Sequence, residues 1–405
     1  MENTENRKKW GEDVFSLLSW FKMDKVKNAK VLVAGAGALG NEALKNLALF
    51  GVGNIIVVDF DKIEYSNLTR SVLFRPEDAD KGLYKADIAA KRLMEINPTI
   101  NVIPVCGNLA TDVGLGVYRR VDVVLGCLDS LTARTYLNRL SFRAGKVWID
   151  GGIGNLEGQV SGYEMNESCY ECSLMEEEVA DMENRIMSCP AIGQENEEAG
   201  RVPTTPVITS IIAAIQVQEA MKIIHKEDLD KGVFTTLIGT MFNYEGMHPD
   251  AGIFDFKSYR KDCVSHEYWE DIVEIPQLSA DTKISEALDI IKKTMGVENV
   301  EINLRNDIFT ESLVVKSDNR KFKTMFPKSK ISDHIKSSKE LRDISFLEGG
   351  LYINEYENID QEFPFMDLTL KQIGIPYLDV IQITTEKGYA YVELTADKKY
   401  YEFLF

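Results

Sequence analysis

A glycine loop and an acidic residue after it are the first residues whose types and spacing could do chemistry. The loop at 35–40 reads Gly-Ala-Gly-Ala-Leu-Gly. Gly35 permits a tight turn, Gly37 lets the backbone approach a phosphate, and Gly40 lets the following helix pack closely. Asp59 comes about 20 residues later, where a carboxylate accepts hydrogen bonds from ribose hydroxyls. The pattern predicts a nucleotide site and by itself leaves NAD and ATP open.

Polar and cationic side chains follow beyond the predicted ribose position, where a triphosphate would extend. Asn67 and Arg70 lie in Ser-Asn-Leu-Thr-Arg, and Lys85 starts a predicted helix. Asp129 ends a later strand and could hold Mg²⁺ beside phosphate oxygens. Singly, such residues are more often surface or salt-bridge residues, but a dinucleotide would need them less than ATP would. The helix after Asp129 adds two further polar groups, Arg134 and Asn138.

Cysteines form the second chemical group. Cys169 and Cys172 make one chelating pair, and Cys263 with His266 makes a second. Three thiolates and an imidazole suit tetrahedral zinc, and the two-residue gap lets each pair bind one ion. The alternative is a set of reduced cysteines beside a surface histidine. Cys189 lies apart from both pairs, and a single cysteine is more often an inert buried residue than a nucleophile.

Composition limits the classes of protein to consider. The chain has 405 residues, 44% hydrophobic and 27% charged, which suits a soluble protein of two domains with a boundary near residue 270. The net charge of -18 disfavours nucleic acid as a partner. The sequence offers no signal peptide and no run of apolar residues typical of a membrane span, so we expect a cytoplasmic protein with reduced cysteines.

The spacing of apolar residues indicates which predicted strands and helices carry these residues. Strands and helices alternate through the first 150 residues, which predicts an α/β fold with a doubly wound, largely parallel sheet that binds ligands at the carboxyl ends of its strands. Residues 171–200 are acidic and irregular, and 207–224 form an apolar core helix. After residue 270 the pattern predicts an α+β domain. The predicted elements of the first part are strands at 30–33, 55–58 and 147–149 and near residues 102 and 121, and helices at 41–50, 85–96 and 130–143.

Five segments together resemble a known family. GAGALG, VVDFD, SNLTR, LYKAD and LDSLTARTYLN are similar to the adenylation domain of ubiquitin-like-protein activating enzymes and of the related thiamine and molybdopterin adenylyltransferases. The resemblance covers roughly residues 30–240 and implies ATP and Mg²⁺. It implies that Asp59 binds ribose, that Asp129 organises Mg²⁺ and that Asp61 supports the same edge. The phosphates would be bound by Asn67, Arg70 and Lys85.

The resemblance also implies a pathway. The catalytic subunits that activate the Nedd and SUMO modifiers have a thioester-forming cysteine at a point similar to Cys189, although the large insertion around it is missing here. The zinc site of the family usually has four cysteines, so His266 is a departure. Residues 1–269 would be the adenylation domain, with 173–203 as a crossover loop. Residues 270–405 resemble a ubiquitin-fold domain that recruits a conjugating enzyme.

Partners and alternatives follow from the same resemblance. One adenylation domain per chain suggests a homodimer, or a heterodimer with an inactive relative. The usual Arg-Tyr-x-Arg-Gln signature is absent, which leaves Arg7 as a weak candidate for an additional active-site arginine. Two alternatives remain: an adenylyltransferase for a sulfur-carrier protein, and a silent scaffolding subunit. The sequence does not name the modifier.

Overall fold

The computed structural model describes residues 10, 12–174, 204–256, 259–304, 307–315, 321–330 and 350–405. Two residues singled out from the sequence, Cys189 and Arg7, lie outside the described residues, as does most of the predicted crossover loop at 173–203.

An eight-stranded sheet forms the first part of the described chain, in the order β3-β2-β1-β4-β5-β6-β7-β8. Strands β1 to β5 run parallel, whereas β6, β7 and β8 are antiparallel to their neighbours. The fold is therefore α/β with a largely parallel sheet, as predicted. The strands are β1 (Lys30–Ala34), β2 (Asn54–Val58), β3 (Asn101–Val105), β4 (Val123–Gly126), β5 (Trp148–Ile153), β6 (Glu157–Tyr163), β7 (Thr240–Glu245) and β8 (Asp250–Asp255).

Helices cover both faces of this sheet. Helices α3, α5 and α8 pack on one face, and α6 and α7 pack on the other, so that alternate residues of the central strands enter two separate cores. The α-helices of the described residues are α1 (Glu12–Phe15), α2 (Met23–Asn28), α3 (Ala38–Phe50), α4 (Pro76–Asp80), α5 (Lys85–Ile96), α6 (Leu115–Arg120), α7 (Leu131–Arg143), α8 (Pro206–Ile224), α9 (Lys226–Asp230) and α10 (Ile284–Met295).

Helix α8 is long and apolar enough to cross a membrane by length and composition alone. It lies in the core of the sheet instead, where Ile212, Ala213 and Val217 are buried against α3 and the strands. It also buries Gln216 and Glu219, which both hydrogen-bond to backbone groups. Packing of this kind is typical of a central helix of a globular domain.

Two smaller sheets form the rest of the described chain. A five-stranded sheet has the order β14-β10-β15-β16-β9, and a three-stranded sheet has the order β12-β11-β13. Helix α10 packs on the first of these with its apolar side. The strands are β9 (Val273–Ile275), β10 (Val300–Asn303), β11 (Phe309–Val315), β12 (Lys321–Pro327), β13 (Gly350–Tyr356), β14 (Asn358–Ile359), β15 (Val380–Thr385) and β16 (Gly388–Leu394).

The C-terminal part of the chain, from β9 onward, packs closely against α6. A Cβ on Gly116 would lie 2.4 Å from the carbonyl oxygen of Leu378, and the N–H of Gly116 donates to that oxygen over 3.0 Å. Behind this contact the fully buried carboxylate of Glu393 pairs with Arg119 and Arg120. Leu378, Val380 and Leu404 complete the core on the α6 face.

Candidate functional site

The glycine loop joins β1 to α3 at the carboxyl edge of the parallel strands. Gly35 has φ of 96°, a left-handed conformation that favours glycine, and a Cβ there would lie 2.3 Å from the carbonyl oxygen of Cys127. A Cβ on Gly40 would lie 2.0 Å from the carbonyl oxygen of Gly35, so this glycine lets α3 pack against its own loop. A Cβ on Gly37 would meet no atom within 4 Å. The open side of the loop is therefore at Gly37.

A buried asparagine braces the loop. The Asn41 side-chain amide donates to the carbonyl oxygen of Ala36 over 2.7 Å and to that of Gly37 over 3.0 Å. Its carbonyl oxygen accepts the N–H of Leu73. Asn41 is wholly buried. This residue was not predicted, because its position within an apolar helix gives no sign of its partners.

Asp59 directly follows β2 and contacts the loop. One carboxylate oxygen accepts the N–H of Ala36 over 2.7 Å, and the other accepts the N–H of Asp61 over 2.8 Å. Burial raises the pKa of Asp59 to about 6, although Lys85 and the two N–H groups oppose the rise. The ionised carboxylate is thus destabilised by burial beside the loop, and its remaining lone pairs can accept further hydrogen bonds.

Lys85 begins α5 and brings a buried cation to the same place. Its ammonium group lies 2.7 Å from an oxygen of Asp61, and the residue is only 9% exposed. Burial lowers the pKa of Lys85, but the carboxylates of Asp59, Asp61 and Asp129 together raise it above the ordinary value. The lysine therefore stays charged, and it lies among three acidic groups.

Asp129 is exposed between β4 and α7 and lies close enough to Lys85 to raise its pKa. Asp129 is exposed and Asp61 is partly exposed, and Mg²⁺ takes one or two carboxylates together with phosphate oxygens and water. The donor set at this edge therefore fits the metal.

Asn67 ends a 3₁₀ helix, and Arg70 lies in the turn that follows it. The Asn67 side chain accepts the N–H of Glu64 over 2.9 Å and caps the 3₁₀ helix Tyr65–Asn67. The Arg70 guanidinium donates to the carbonyl oxygen of Ser66 over 2.8 Å. Both residues are half-buried. In this arrangement their side chains contact their own segment.

The two polar residues of α7 have different environments. Arg134 lies at the edge and pairs with the buried Asp150 over 3.0 Å. Asn138 is fully buried one turn further on, where it accepts the indole N–H of Trp148 and the backbone N–H of Tyr170. The expectation that Asn138 lies at the nucleotide edge is therefore wrong, because the rise of the helix carries it into the core.

The cysteine pairs meet in space. The possible ligand atoms of Cys169, Cys172, Cys263 and His266 all lie within 4.8 Å of one another. The sulfur of Cys169 is 3.6 Å from the sulfurs of Cys172 and Cys263, and Cys172 sulfur is 3.4 Å from Nε2 of His266. Zinc bonds of about 2.3 Å to sulfur and 2.0 Å to nitrogen put tetrahedral ligands about 3.5–3.8 Å apart. The four residues fit one zinc ion.

Aromatic rings fix the histidine of this group. The His266 ring stacks between Phe142 at 5.3 Å and Tyr259 at 4.9 Å. This sandwich holds Nε2 toward Cys172, while Nδ1 is buried without a hydrogen-bond partner among the described residues. A hydrogen bond from Cys169 lowers the pKa of the Cys263 thiol. The group thus provides a thiol that ionises easily beside an oriented imidazole, as zinc ligation requires.

Comparison with known proteins defines the family. The model of the ThiF family matches residues 7–265. A sulfur carrier protein adenylyltransferase of Thermus thermophilus is 30% identical over 231 residues, which are 55% of this chain and 77% of that protein. The chain belongs to the ThiF family.

Other ThiF relatives have different functions by name. The SUMO-activating enzyme subunit 2 of Dictyostelium discoideum is 35% identical over 161 residues, 39% of this chain and 24% of that protein. A molybdopterin-synthase adenylyltransferase of Salmonella typhimurium is 38% identical over 149 residues, 36% of this chain and 59% of that protein. The chain thus spans less than two thirds of the length of either relative.

Solved structures give the same fold. Microcin C7 biosynthetic enzyme MccB, in complex with N-formylated MccA, has a TM-score of 0.50 and 22% identity, over 65% of this chain and 76% of that chain.

The ThiF match ends at residue 265, so it includes the glycine loop, Asp59, Lys85, Asp129 and the first three zinc-site residues.

The thiols of the described residues differ in accessibility. Cys127 is buried behind the glycine loop, and burial raises its pKa. Cys106 is exposed after β3, and partial desolvation of its sulfur together with a hydrogen bond to Asp87 raises its pKa to about 12. Neither thiol is prepared as a nucleophile, since the thiolate is the reactive form.

Proposed function

We propose that this protein uses ATP to adenylate the C-terminal carboxylate of a ubiquitin-like protein, transfers that protein to Cys189 as a thioester, and passes it to a conjugating enzyme bound on residues 270–405. The observation that carries the proposal is the buried Lys85 among Asp59, Asp61 and Asp129, of which Asp59 accepts the N–H of Ala36 in the Gly35–Gly40 loop. A dinucleotide enzyme would need these groups less than an enzyme that binds a triphosphate. The ThiF membership supports the same chemistry.

The residues divide the work by position. The N–H groups at the start of α3, at the open side of the loop at Gly37, donate to the phosphates, and the free lone pairs of Asp59 accept hydrogen bonds from the ribose hydroxyls. Lys85 and Arg70 neutralise charge on the phosphates, and Asn67 donates to them. Asn67 can donate through its side-chain N–H₂ group while its carbonyl oxygen keeps the N–H of Glu64, and Arg70 has further N–H groups besides the one that donates to Ser66. Asp129 would hold Mg²⁺, which neutralises phosphate charge when bound.

The proposed reaction has two steps. A carboxylate oxygen of the modifier attacks the α-phosphorus of ATP, and pyrophosphate leaves, which gives an acyl adenylate. The Cys189 thiolate then attacks the acyl carbon, and AMP leaves, which gives the thioester. Positioning and charge neutralisation are the main tasks of the chain in the first step.

The test of the first step is exchange of labelled pyrophosphate into ATP with small β-grasp proteins that end in glycine. Lys85→Met should lower the exchange rate roughly 100-fold, because it removes a donor aimed at developing charge. Lys91→Met is the matched control, because Lys91 is exposed on the same helix. No exchange by the wild-type protein with any such substrate would favour the silent scaffolding subunit.

The test of the second step is a thioester that a thiol reductant cleaves. Cys189→Ala should abolish this species and leave pyrophosphate exchange unchanged. Cys106→Ala is the control, because it removes the exposed thiol near the same edge. Survival of the thioester in Cys189→Ala would contradict the assignment of Cys189.

A second function has support of its own. The Thermus thermophilus relative, of which this chain matches 77%, is named a sulfur carrier protein adenylyltransferase. An enzyme of that kind would adenylate its substrate, and the product after addition of a sulfur donor would be a thiocarboxylate. Mass spectrometry of the substrate C-terminus distinguishes this outcome from an enzyme-bound thioester. Cytoplasmic location and dimer formation remain part of the proposal.

The zinc group has a structural part in this proposal. Cys169, Cys172, Cys263 and His266 would hold the ion, which ties the segment after β6 to the segment before β9. A closed site of four protein ligands is typical of structural zinc.

A further inference from the structure

The loop that carries Asp129 leaves the sheet at the end of β4. Gly126 is the last residue of β4 to pair with β1, and the N–H of Cys127 donates to the carbonyl oxygen of Ala34 over 2.8 Å. Leu128 and Asp129 then bridge to α7, which starts after a Ser130 cap. The position of the exposed Asp129 carboxylate therefore depends on what holds this short bridge to the sheet.

Arg134 holds the bridge from the α7 face. One guanidinium nitrogen donates to the carbonyl oxygen of Leu128 over 2.7 Å and approaches that of Gly151 at 3.3 Å. Another donates to the carboxylate of Asp150 over 3.0 Å. Asp150 is 1% exposed, so the ion pair is held rigidly within the sheet. The residue directly before Asp129 is thereby fastened to the middle of β5.

Gln216 connects β4 to β5 from the opposite face of the sheet. Its side-chain N–H₂ group donates to the carbonyl oxygens of Gly126 over 2.8 Å and Ile149 over 3.0 Å. Its carbonyl oxygen lies 3.6 Å from the sulfur of Cys127, which donates to it. Gln216 is wholly buried in α8. A buried amide with its groups satisfied on two strands is a rigid connection.

We propose that Arg134 and Gln216 are positioning residues that fix the Asp129 carboxylate beside Lys85, and so set the affinity of the site for Mg²⁺ bound with ATP. The inference rests on the proposed ATP site. From opposite faces of the sheet, the two side chains fasten the end of β4 and the residue after it to β5, at the point where the Asp129 loop departs. Neither side chain needs to contact the nucleotide for this effect.

The experiment measures the dissociation constant of ATP in excess chelator and in saturating Mg²⁺, and the ratio of the two constants is the readout. Gln216→Met keeps the volume and removes the hydrogen bonds, and Arg134→Lys keeps the charge and removes the forked contacts. In each variant the Mg²⁺-dependent gain in ATP affinity should fall about tenfold, while the affinity in chelator changes less than about twofold.

A matched control separates positioning from general damage to α8. Glu219 lies one turn further along, is buried, and accepts the N–H of Leu237 over 2.8 Å rather than contacting β4 or β5. Glu219→Met should lower thermal stability and leave the Mg²⁺ ratio unchanged. Combined with Asp129→Asn, Gln216→Met should cause little further loss, because both changes act through one carboxylate.

The outcomes are distinguishable. An unchanged Mg²⁺ ratio in both variants, or full additivity with Asp129→Asn, overturns the inference. If Gln216→Met does not fold, Arg134→Lys decides alone. A wild-type protein that binds no ATP contradicts the proposed function and this inference with it, whereas ATP binding with an unchanged ratio contradicts only the inference.

Discussion

Arg139 makes two hydrogen bonds of 2.8 Å to the buried carboxylate of Glu171. The hydroxyl of Ser265 donates to the same carboxylate. Glu171 lies between the first two cysteines of the zinc group, and Ser265 lies between Cys263 and His266. One carboxylate thus joins the two chelating pairs to each other and to α7, before any metal does so.

Arg139→Met should weaken both the fold and the zinc site. The change leaves the Glu171 carboxylate buried without its cation, for which we expect a loss of about 3 kcal/mol in the free energy of unfolding. Zinc content, measured by mass spectrometry of the purified protein, should fall below one ion per chain. Chelator treatment of the wild-type protein should lower its melting temperature toward that of the variant.

Lys283→Met is the control for this prediction. Lys283 pairs with Asp367 over 2.9 Å, but both side chains are mostly exposed. Such pairs contribute about 0–1 kcal/mol. Full zinc content in Arg139→Met, with stability close to that of Lys283→Met, would show that the carboxylate does not join the two pairs.

Because the pKa of Asp59 is raised, we expect stability and ATP binding to depend on pH in opposite directions. Its pKa in the folded protein is raised to about 6, from an ordinary value of 3.8. The contribution of this group to stability is therefore fully present below pH 3.8 and is lost as the pH rises through about 6. ATP affinity should instead increase as the pH rises through about 6. The ionised carboxylate offers only acceptors to the ribose hydroxyls, whereas the protonated group also has an O–H donor. Titration calorimetry with ATP between about pH 5 and pH 8 measures this.

Asp59→Asn separates the side chain from the titration of ATP itself. The variant should bind ATP about tenfold more weakly at about pH 8. The increase in ATP affinity as the pH rises through the pKa of Asp59 should also disappear. If Asp59→Asn retains the wild-type pH dependence, another group titrates. Asp122→Asn is a suitable control, since Asp122 is exposed and accepts the N–H of Lys30 at the other end of the sheet.

His225 predicts a loss of stability in acid. The buried ring accepts the backbone N–H of Lys22 at Nε2 over 2.9 Å, and Nδ1 lies 2.7 Å from the carbonyl oxygen of Met221. Burial lowers the pKa of His225, and the charges that face the ring are those of Lys25, Asp228 and Lys22. The contribution to stability is therefore present above the unfolded pKa of about 6.5 and is lost as the pH falls.

The measurement is the melting temperature at about pH 7.5 and about pH 5.5, on either side of the unfolded pKa of histidine. His225→Gln offers a neutral acceptor and donor at the same place, and should make the protein less sensitive to acid than the wild type. Equal sensitivity in the two proteins would assign the acid effect to other groups. His248→Gln, at a site where the chain turns between β7 and β8, is the control.

Local patterns predicted the elements of the first sheet closely, because each strand and helix has its own apolar period. The helix predicted at 85–96 has the same bounds in the structure. The prediction of a largely parallel sheet is confirmed, but the antiparallel strands β6 to β8 were not predicted. Strand direction there depends on pairing with distant residues, which a local pattern does not contain.

The candidate site could be predicted where a residue follows a strand end or begins a helix, as Asp59, Lys85 and Asp129 do. Sequence patterns gave no sign of hydrogen bonds to partners across the sheet, such as those of Gln216. Gln216 was assigned no chemistry, because α8 has the period of a core helix. Asn138 was placed at the edge, although about 1.5 Å of rise per residue carries it some 10 Å along α7.

Gly116 predicts how tightly the C-terminal part contacts α6. A Cβ there would lie 2.2 Å from a carboxylate oxygen of Glu393 and 2.4 Å from the carbonyl oxygen of Leu378. Because the latter atom is backbone, Gly116→Ala must separate α6 from Leu378 and disturb the pairing of Glu393 with two arginines. We expect a loss of about 1–3 kcal/mol in the free energy of unfolding and faster proteolysis between the two parts.

Gly252→Ala tests whether any added methyl group has this effect. A Cβ on Gly252 would lie 3.3 Å from the ring of the exposed Phe254, which can move aside. The control should therefore retain wild-type stability and wild-type proteolysis. If Gly116→Ala matches it in both measurements, the contact between α6 and Leu378 is loose in solution. A conjugating enzyme bound to the C-terminal part would then have no fixed position relative to the Gly35–Gly40 loop.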